Sequence, residues 1–250
     1  MMLAHRIIPV MLQRGSTLVK GERFQSWRSV GHAQQAVAIH QARGVDELIY
    51  LDIGATPEGR GPDFETVRRL TEKCFMPITV GGGVRSIADA RGLLAAGADK
   101  VAIRTAGPGV IADCANVMGC QAIVAAMDVW NMDNMVLTAP SHGPCHPKLL
   151  DIAARHAEKL ADAGAGEILL TRCEYEGMQQ GYDLGLIERV ASTVNIPIIA
   201  HGGCGSYEHM AEAIRAGASA VAAGSLFQFT DATPRGAAEY LAAQGIEVRL

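Results

Sequence analysis

The stretch from Ile78 to Ile103, ITVGGGVRSIADARGLLAAGADKVAI, returns in blurred form from Ile198 to Ala223, IIAHGGCGSYEHMAEAIRAGASAVAA. Nine of the 26 paired positions are identical at an offset of 120, among them Gly82 and Gly202, Gly83 and Gly203, and Ser86 and Ser206. Each copy reads as strand, glycine turn, helix, strand. The apolar runs are short and bounded by turn residues, as in strands buried on both faces. Ser86 with Asp89 makes a capping box that opens the first helix, and Gly97 ends it. A doubled unit in a chain of 250 residues fits the usual length of an eight-fold β/α barrel.

Eight strands are expected: Arg6 to Met11, Glu47 to Ile53, Ile78 to Val80, Lys100 to Ile103, Ala122 to Asp128, Glu167 to Thr171, Ile198 to Ala200 and Ala220 to Ala223. Helical patterns between them end at signals such as Ala42-Arg43-Gly44 and Ala163-Gly164. Alternation of strand and helix means a parallel sheet. The expectation is a single α/β domain, a (β/α)8 TIM barrel of two half-barrels, about 1–121 and 122–250. The repeat extends further, since Gly61 and Asp63 answer Gly181 and Asp183. Two segments break the rhythm and read as long loops, Gln13 to Ser29 and Asn131 to Pro147. Loops on the C-terminal face of such a barrel carry the chemistry.

The doubling predicts two similar sites across the barrel mouth. A glycine pair at a strand end lets backbone N–H groups approach an anion, and the following helix N-terminus adds partial positive charge. The sets would be Gly82 and Gly83 with Arg104 and Thr105, and Gly202 and Gly203 with Gly224 and Ser225. A small ligand with a phosphate at each end suits this arrangement. The plainer reading is that these glycines only permit tight turns.

A net charge of −4 and no basic stripe or aromatic platform argue against nucleic acid. No signal peptide and no apolar run of membrane length stand out, so the expectation is a cytoplasmic protein without membrane contact. The six cysteines, Cys74, Cys114, Cys120, Cys145, Cys173 and Cys204, lack metal-ligand spacing and read as free thiols. His142, Cys145 and His146 share one loop without a convincing fourth ligand, so neither a metal nor a cofactor is expected.

The segments RIIPVML, LVKG, VDELIYLDI, ITVGGGVRS, GADKVAI, GAGEILLT, GYD and PIIAHGG are ordered along essentially the whole chain. Together they resemble the cyclase subunit family of imidazole glycerol phosphate synthase. The resemblance implies a barrel that pairs with a glutaminase, receives ammonia through its axis, and uses it on a substrate carrying two phosphates. Ammonia then closes an imidazole ring and releases an aminoimidazole carboxamide nucleotide. Of the two aspartates that serve the family as acid and base, the second is present as Asp128. Leu12 stands in place of the first. The resemblance also brings Lys20, Thr171, Glu176 and Gly177 into the substrate site, with Lys20 on a loop either as a phosphate clamp or as a merely solvated side chain. Asp52, at the end of its strand, reads as lining the mouth and holding substrate hydroxyls, or as a structural hydrogen-bonding group. Further departures gather at the mouth: Arg104 for an asparagine, Glu174 and Glu176 for aspartates, and Met178 for a threonine.

At the opposite barrel end Arg6, Glu47, Lys100 and Glu167 each begin an inward strand and match the family's charged ring at the ammonia entrance. Such a ring reads either as a salt-bridged plug or as a gate. Buried ion pairs are weak stabilisers compared with apolar packing, which favours the gate. Asp99 is expected to face the docked glutaminase. Two readings of function stay open. One is a synthase subunit using ammonia at Asp128. The other is a diverged paralogue of the surface-polysaccharide type, which activates a glutaminase and passes ammonia onward for sugar amidation.

Overall fold

The computed structural model describes residues 4–130 and 147–249. Eight parallel strands close into a barrel: β1 (Arg6–Arg14), β4 (Leu48–Asp52), β5 (Ile78–Gly81), β6 (Lys100–Ile103), β7 (Ile123–Val129), β8 (Glu167–Arg172), β9 (Ile198–His201) and β10 (Ala220–Ala223). β1 completes the ring by pairing with β10 through Arg6 to Pro9 and with β4 through Val10 to Gln13. Around the barrel lie α1 (Ala33–Ala42), α2 (Phe64–Thr71), α3 (Ile87–Ala95), α4 (Gly107–Met118), α5 (Pro147–Asp162), α6 (Leu184–Ala191), α7 (Tyr207–Arg215), α8 (Ser225–Phe229) and α9 (Pro234–Ala243). Among the described residues no helix is long and apolar enough to cross a membrane.

The repeat is visible in how the helices start. Asp63 accepts a hydrogen bond from the Thr66 backbone N–H at α2, and Asp183 from that of Leu186 at α6. Ser86 caps α3 through the Asp89 N–H, and Ser206 caps α7 through the His209 N–H. Each satisfies a donor that a helix N-terminus otherwise leaves unpaired. Strand alternation then sorts side chains into two cores. Ile7, Met11, Leu48, Tyr50, Ile78, Val80 and their like face the helices. Ile8, Val10, Leu12, Ile49, Ala102, Val124, Leu169, Ile199, Ala220 and Ala222 fill the barrel interior.

One expectation requires correction. Gln13 to Ser29 is no loop: β1 continues to Arg14, and β2 (Thr17–Glu22) and β3 (Gln25–Gly31) form an antiparallel hairpin on its edge. Lys20 therefore lies on a strand, fully buried, and not on a loop. The segment from Asn131 to residue 146, with His142, Cys145 and His146, lies outside the described residues.

Candidate active site

A cavity of about 560 Å³ opens at the C-terminal ends of the strands. Its wall includes Asp52, Gly82, Gly83, Arg104, Thr105, Asp128 and Thr171 from the expected set. Sheet register explains part of this convergence: Asp128 on β7 pairs with Thr171 on β8, and Thr171 with His201 on β9. Neighbours in register on parallel strands point the same way, so the three side chains stand in a row at the mouth.

The glycine pairs occupy positions that no other residue fits. Gly82 and Gly83 have φ of 122° and 71°, and Gly202 and Gly203 have φ of 92° and 104°. A Cβ on Gly82 would lie 2.4 Å from the Asp52 carbonyl oxygen, and one on Gly202 would lie 2.5 Å from that of Arg172. Positive φ and close backbone approach are both glycine's preserve.

The two halves differ in what covers them. Gly82, Gly83, Arg104 and Thr105 face the cavity, whereas Gly202, Gly203, Gly224 and Ser225 do not line it. The hairpin lies over the second half, where the Arg23 N–H donates to the Glu176 carbonyl at 2.7 Å. Gly177 passes so close beneath Gly21 that a Cβ would lie 2.1 Å from the Gly21 carbonyl oxygen. Lys20 Nζ sits 1.8 Å from where a Gly224 Cβ would be. Ser225 is buried, and its hydroxyl has no hydrogen-bond partner among the described residues.

Asp128 is paired with Arg104, Nη1 to Oδ2, at 2.5 Å. Asp52 lines the cavity, but its carboxylate accepts from the Gly54 and Ala55 N–H groups at 3.0 and 3.1 Å and pairs with Arg60 at 2.9 Å. Those oxygens hold the loop after β4, which is the structural hydrogen-bonding role that the sequence left open for Asp52. Glu174 is also turned inward, buried against Arg172, which binds Asp183 on its other side.

A buried polar chain runs behind the cavity wall. Thr171 Oγ1 is 3.1 Å from His201 Nδ1, His201 Nε2 is 3.4 Å from Glu176 Oε2, and Glu176 Oε1 is 3.5 Å from Lys20 Nζ. Burial pulls the His201 imidazole below its ordinary range against the opposing pull of Glu176. Burial also pushes the Glu176 carboxyl up, but His201 and Lys20 overcome it, leaving the group below its ordinary value. Burial lowers the Lys20 ammonium, with Glu176 opposing. Burial thus favours the neutral imidazole, while Lys20 and His201 favour the Glu176 carboxylate.

Sequence reasoning missed His201, Phe24, Trp27 and Trp130, all of which line the cavity. Phe24 and Trp27 meet edge to face at 5.9 Å, and Phe24 lies 6.4 Å from Trp130. A signal for His201 exists within the repeat, since its counterpart at an offset of 120 is Gly81. The second copy places an imidazole where the first has no side chain.

At the other end of the barrel the four expected charges form one network. Arg6 reaches Glu47 at 2.6 Å and Glu167 at 2.9 Å, and Lys100 reaches both at 3.2 Å. Thr79 adds a hydrogen bond to Glu47 at 2.9 Å. Asp99 is exposed at the rim, and its carboxylate accepts from the Ile78 N–H at 2.8 Å.

The family described as histidine biosynthesis protein matches residues 6–233. The chain is also 42% identical, over 99% of its own length and 96% of the relative's, to "Imidazole glycerol phosphate synthase subunit HisF" of Mycobacterium tuberculosis (strain ATCC 25177 / H37Ra).

Proposed function

The chain belongs to the histidine biosynthesis protein family, and from that premise we propose that it is the cyclase subunit of an imidazole glycerol phosphate synthase. Channelled ammonia closes an imidazole ring on a substrate carrying two phosphates, and an aminoimidazole carboxamide nucleotide leaves. The observation that carries this reading is the polarity of the barrel axis. A ring of four charges stands at one end, Asp128 faces a cavity at the other, and an apolar interior lies between them.

That interior suits the reaction. Ile8, Val10, Ile49, Val124, Leu169 and Ile199 offer no hydrogen bonds, so neutral ammonia passes at far lower cost than ammonium. Arg6, Glu47, Lys100 and Glu167 act as the gate on the face where a glutaminase docks, with Asp99 at the rim of that interface. Gly82, Gly83, Arg104 and Thr105 seat one phosphate at the open half of the mouth. Gly177, Gly202, Gly203, Gly224 and Ser225, with Lys20 beside them, form the matching seat under the hairpin. Asp128 handles protons at the reacting nitrogen.

The test joins the barrel to its glutaminase and supplies glutamine with the two-phosphate substrate. The aminoimidazole nucleotide should form about mole for mole with glutamate. Glutamine hydrolysis stimulated by the barrel, with ammonia delivered but no imidazole formed, contradicts the cyclase assignment and favours onward amidation of another acceptor.

A further inference from the structure

The family resemblance implies a second proton-transfer carboxylate at the position where this chain has Leu12, and a missing proton-transfer group typically costs about 10² to 10⁴ in rate. Leu12 is completely buried in the barrel interior and cannot carry a proton. In the wall of the cavity, however, stand a hydroxyl and an imidazole, Thr171 and His201, with the buried Glu176 carboxylate behind them. Resting on the cyclase reading, we propose that Thr171, His201 and Glu176 form a proton relay that takes over the role of the carboxylate that Leu12 replaces.

Three features argue for a relay over a structural cluster. Thr171 and His201 both face the cavity, so the chain begins where substrate sits. Thr171 Oγ1 lies 3.1 Å from Nδ1, while Nε2 stands 3.4 Å from the Glu176 carboxylate. That is the connectivity of a hydroxyl activated by an imidazole which a carboxylate steadies. Moreover, the contacts of His201 Nε2 and Lys20 Nζ with the buried Glu176 carboxylate are long, at 3.4 and 3.5 Å. A proton arriving on the imidazole turns the contact of Nε2 with Glu176 into a charge-assisted pair.

The proton count closes. As the ammonia-derived nitrogen forms its bond to carbon, it gives a proton to Thr171 Oγ1, whose own proton passes to His201 Nδ1. The bond from that carbon to the departing aminoimidazole nitrogen then breaks, with the electron pair staying on nitrogen. The proton held by His201 returns through Thr171 to that nitrogen, and the relay is restored. Asp128, on the neighbouring strand, serves the remaining proton transfers of ring closure.

Around His201 the charged groups are Glu176 and Asp128, which favour its protonated form, and Lys20, which opposes it. Burial leaves the imidazole neutral at pH 7, ready to accept. Activity should therefore fall on the acid side as His201 protonates, at a pH below the ordinary histidine range.

The experiment is ammonia-dependent turnover against pH for wild type, His201→Asn, Thr171→Val and Glu176→Gln, each checked for a wild-type melting profile. His201→Asn should lower kcat at least about 100-fold, leave KM within about threefold and abolish the acid limb. Glu176→Gln should move that limb to lower pH, because it removes an anion that favours the imidazolium. Thr171→Val, isosteric and unable to conduct a proton, gives the same reading if His201→Asn does not fold. A folded His201→Asn or Thr171→Val enzyme within threefold of the wild-type kcat overturns the relay while leaving the cyclase assignment intact. Wild type that binds substrate and forms no product overturns the cyclase assignment and the relay with it.

Discussion

Arg104 holds Asp128: the guanidinium Nη1 lies 2.5 Å from the carboxylate Oδ2 in the lining of the cavity that Thr105 and the Gly82-Gly83 turn share. The same arginine lines the cavity with the first glycine turn, so on the proposed reading a phosphate seated there competes with Asp128 for the guanidinium. Replacing Arg104 with asparagine removes a charged donor, an interaction worth about 1.5 to 3 kcal/mol. KM should rise about 10- to 100-fold at constant pH. An unchanged KM shows that Arg104 makes no contact with the phosphate.

The two anion seats should differ in access. The first opens onto the cavity, while the second lies beneath the hairpin with Lys20 against Gly224. Crystals grown in sulfate should show an ion at Gly83 and Thr105, and one at Gly203 and Ser225 only where β2 and β3 have shifted. Density at neither seat, with the glycine N–H groups bonded to protein, contradicts both.

The charged ring makes a prediction at the opposite face. Lys100 bridges Glu47 and Glu167 at 3.2 Å to each. Lys100→Met leaves two carboxylates with Arg6 alone and opens the ring. With the glutaminase bound, the ratio of glutamine hydrolysed to imidazole formed should rise at least about threefold, while turnover with free ammonium salt changes less. A ratio that stays near one argues for a structural plug at this end.

His40 sets a pH limit on stability. It is buried on α1, with Nδ1 unpartnered among the described residues, and burial brings its pKa down to about 4, Arg43 adding to the effect. Because the folded-state value lies below that of the unfolded chain, the unfolded state takes up the proton first as pH falls. The stability this group contributes is complete above about pH 6.5 and is lost progressively toward pH 4, by up to about 3 kcal/mol. Chemical denaturation of His40→Gln between pH 7 and 4 should show a shallower decline than wild type. Parallel curves contradict the assignment.

The barrel was legible because its signals are local and doubled: short apolar strands, caps at Ser86 and Ser206, and glycine pairs whose φ only glycine adopts freely. The charged ring was legible because its members begin a strand or, in the case of Glu47, stand directly before one. The hairpin escaped because β3 is largely exposed and polar, with no apolar alternation, and because Arg23 and Phe24 take positive φ where a turn usually has glycine or asparagine. The burial of Lys20 on a strand escaped with it. The Thr171 to His201 contact spans 30 residues and arises from register between β8 and β9, which no local pattern records.

The most direct measurement is the release of the aminoimidazole carboxamide nucleotide by the isolated barrel with saturating ammonium salt, comparing wild type with Asp128→Asn. Wild type should form imidazole and nucleotide in equal amounts, and Asp128→Asn should be slower by about 100-fold or more. Equal rates in the two proteins, or no nucleotide from wild type, would contradict cyclase chemistry at Asp128.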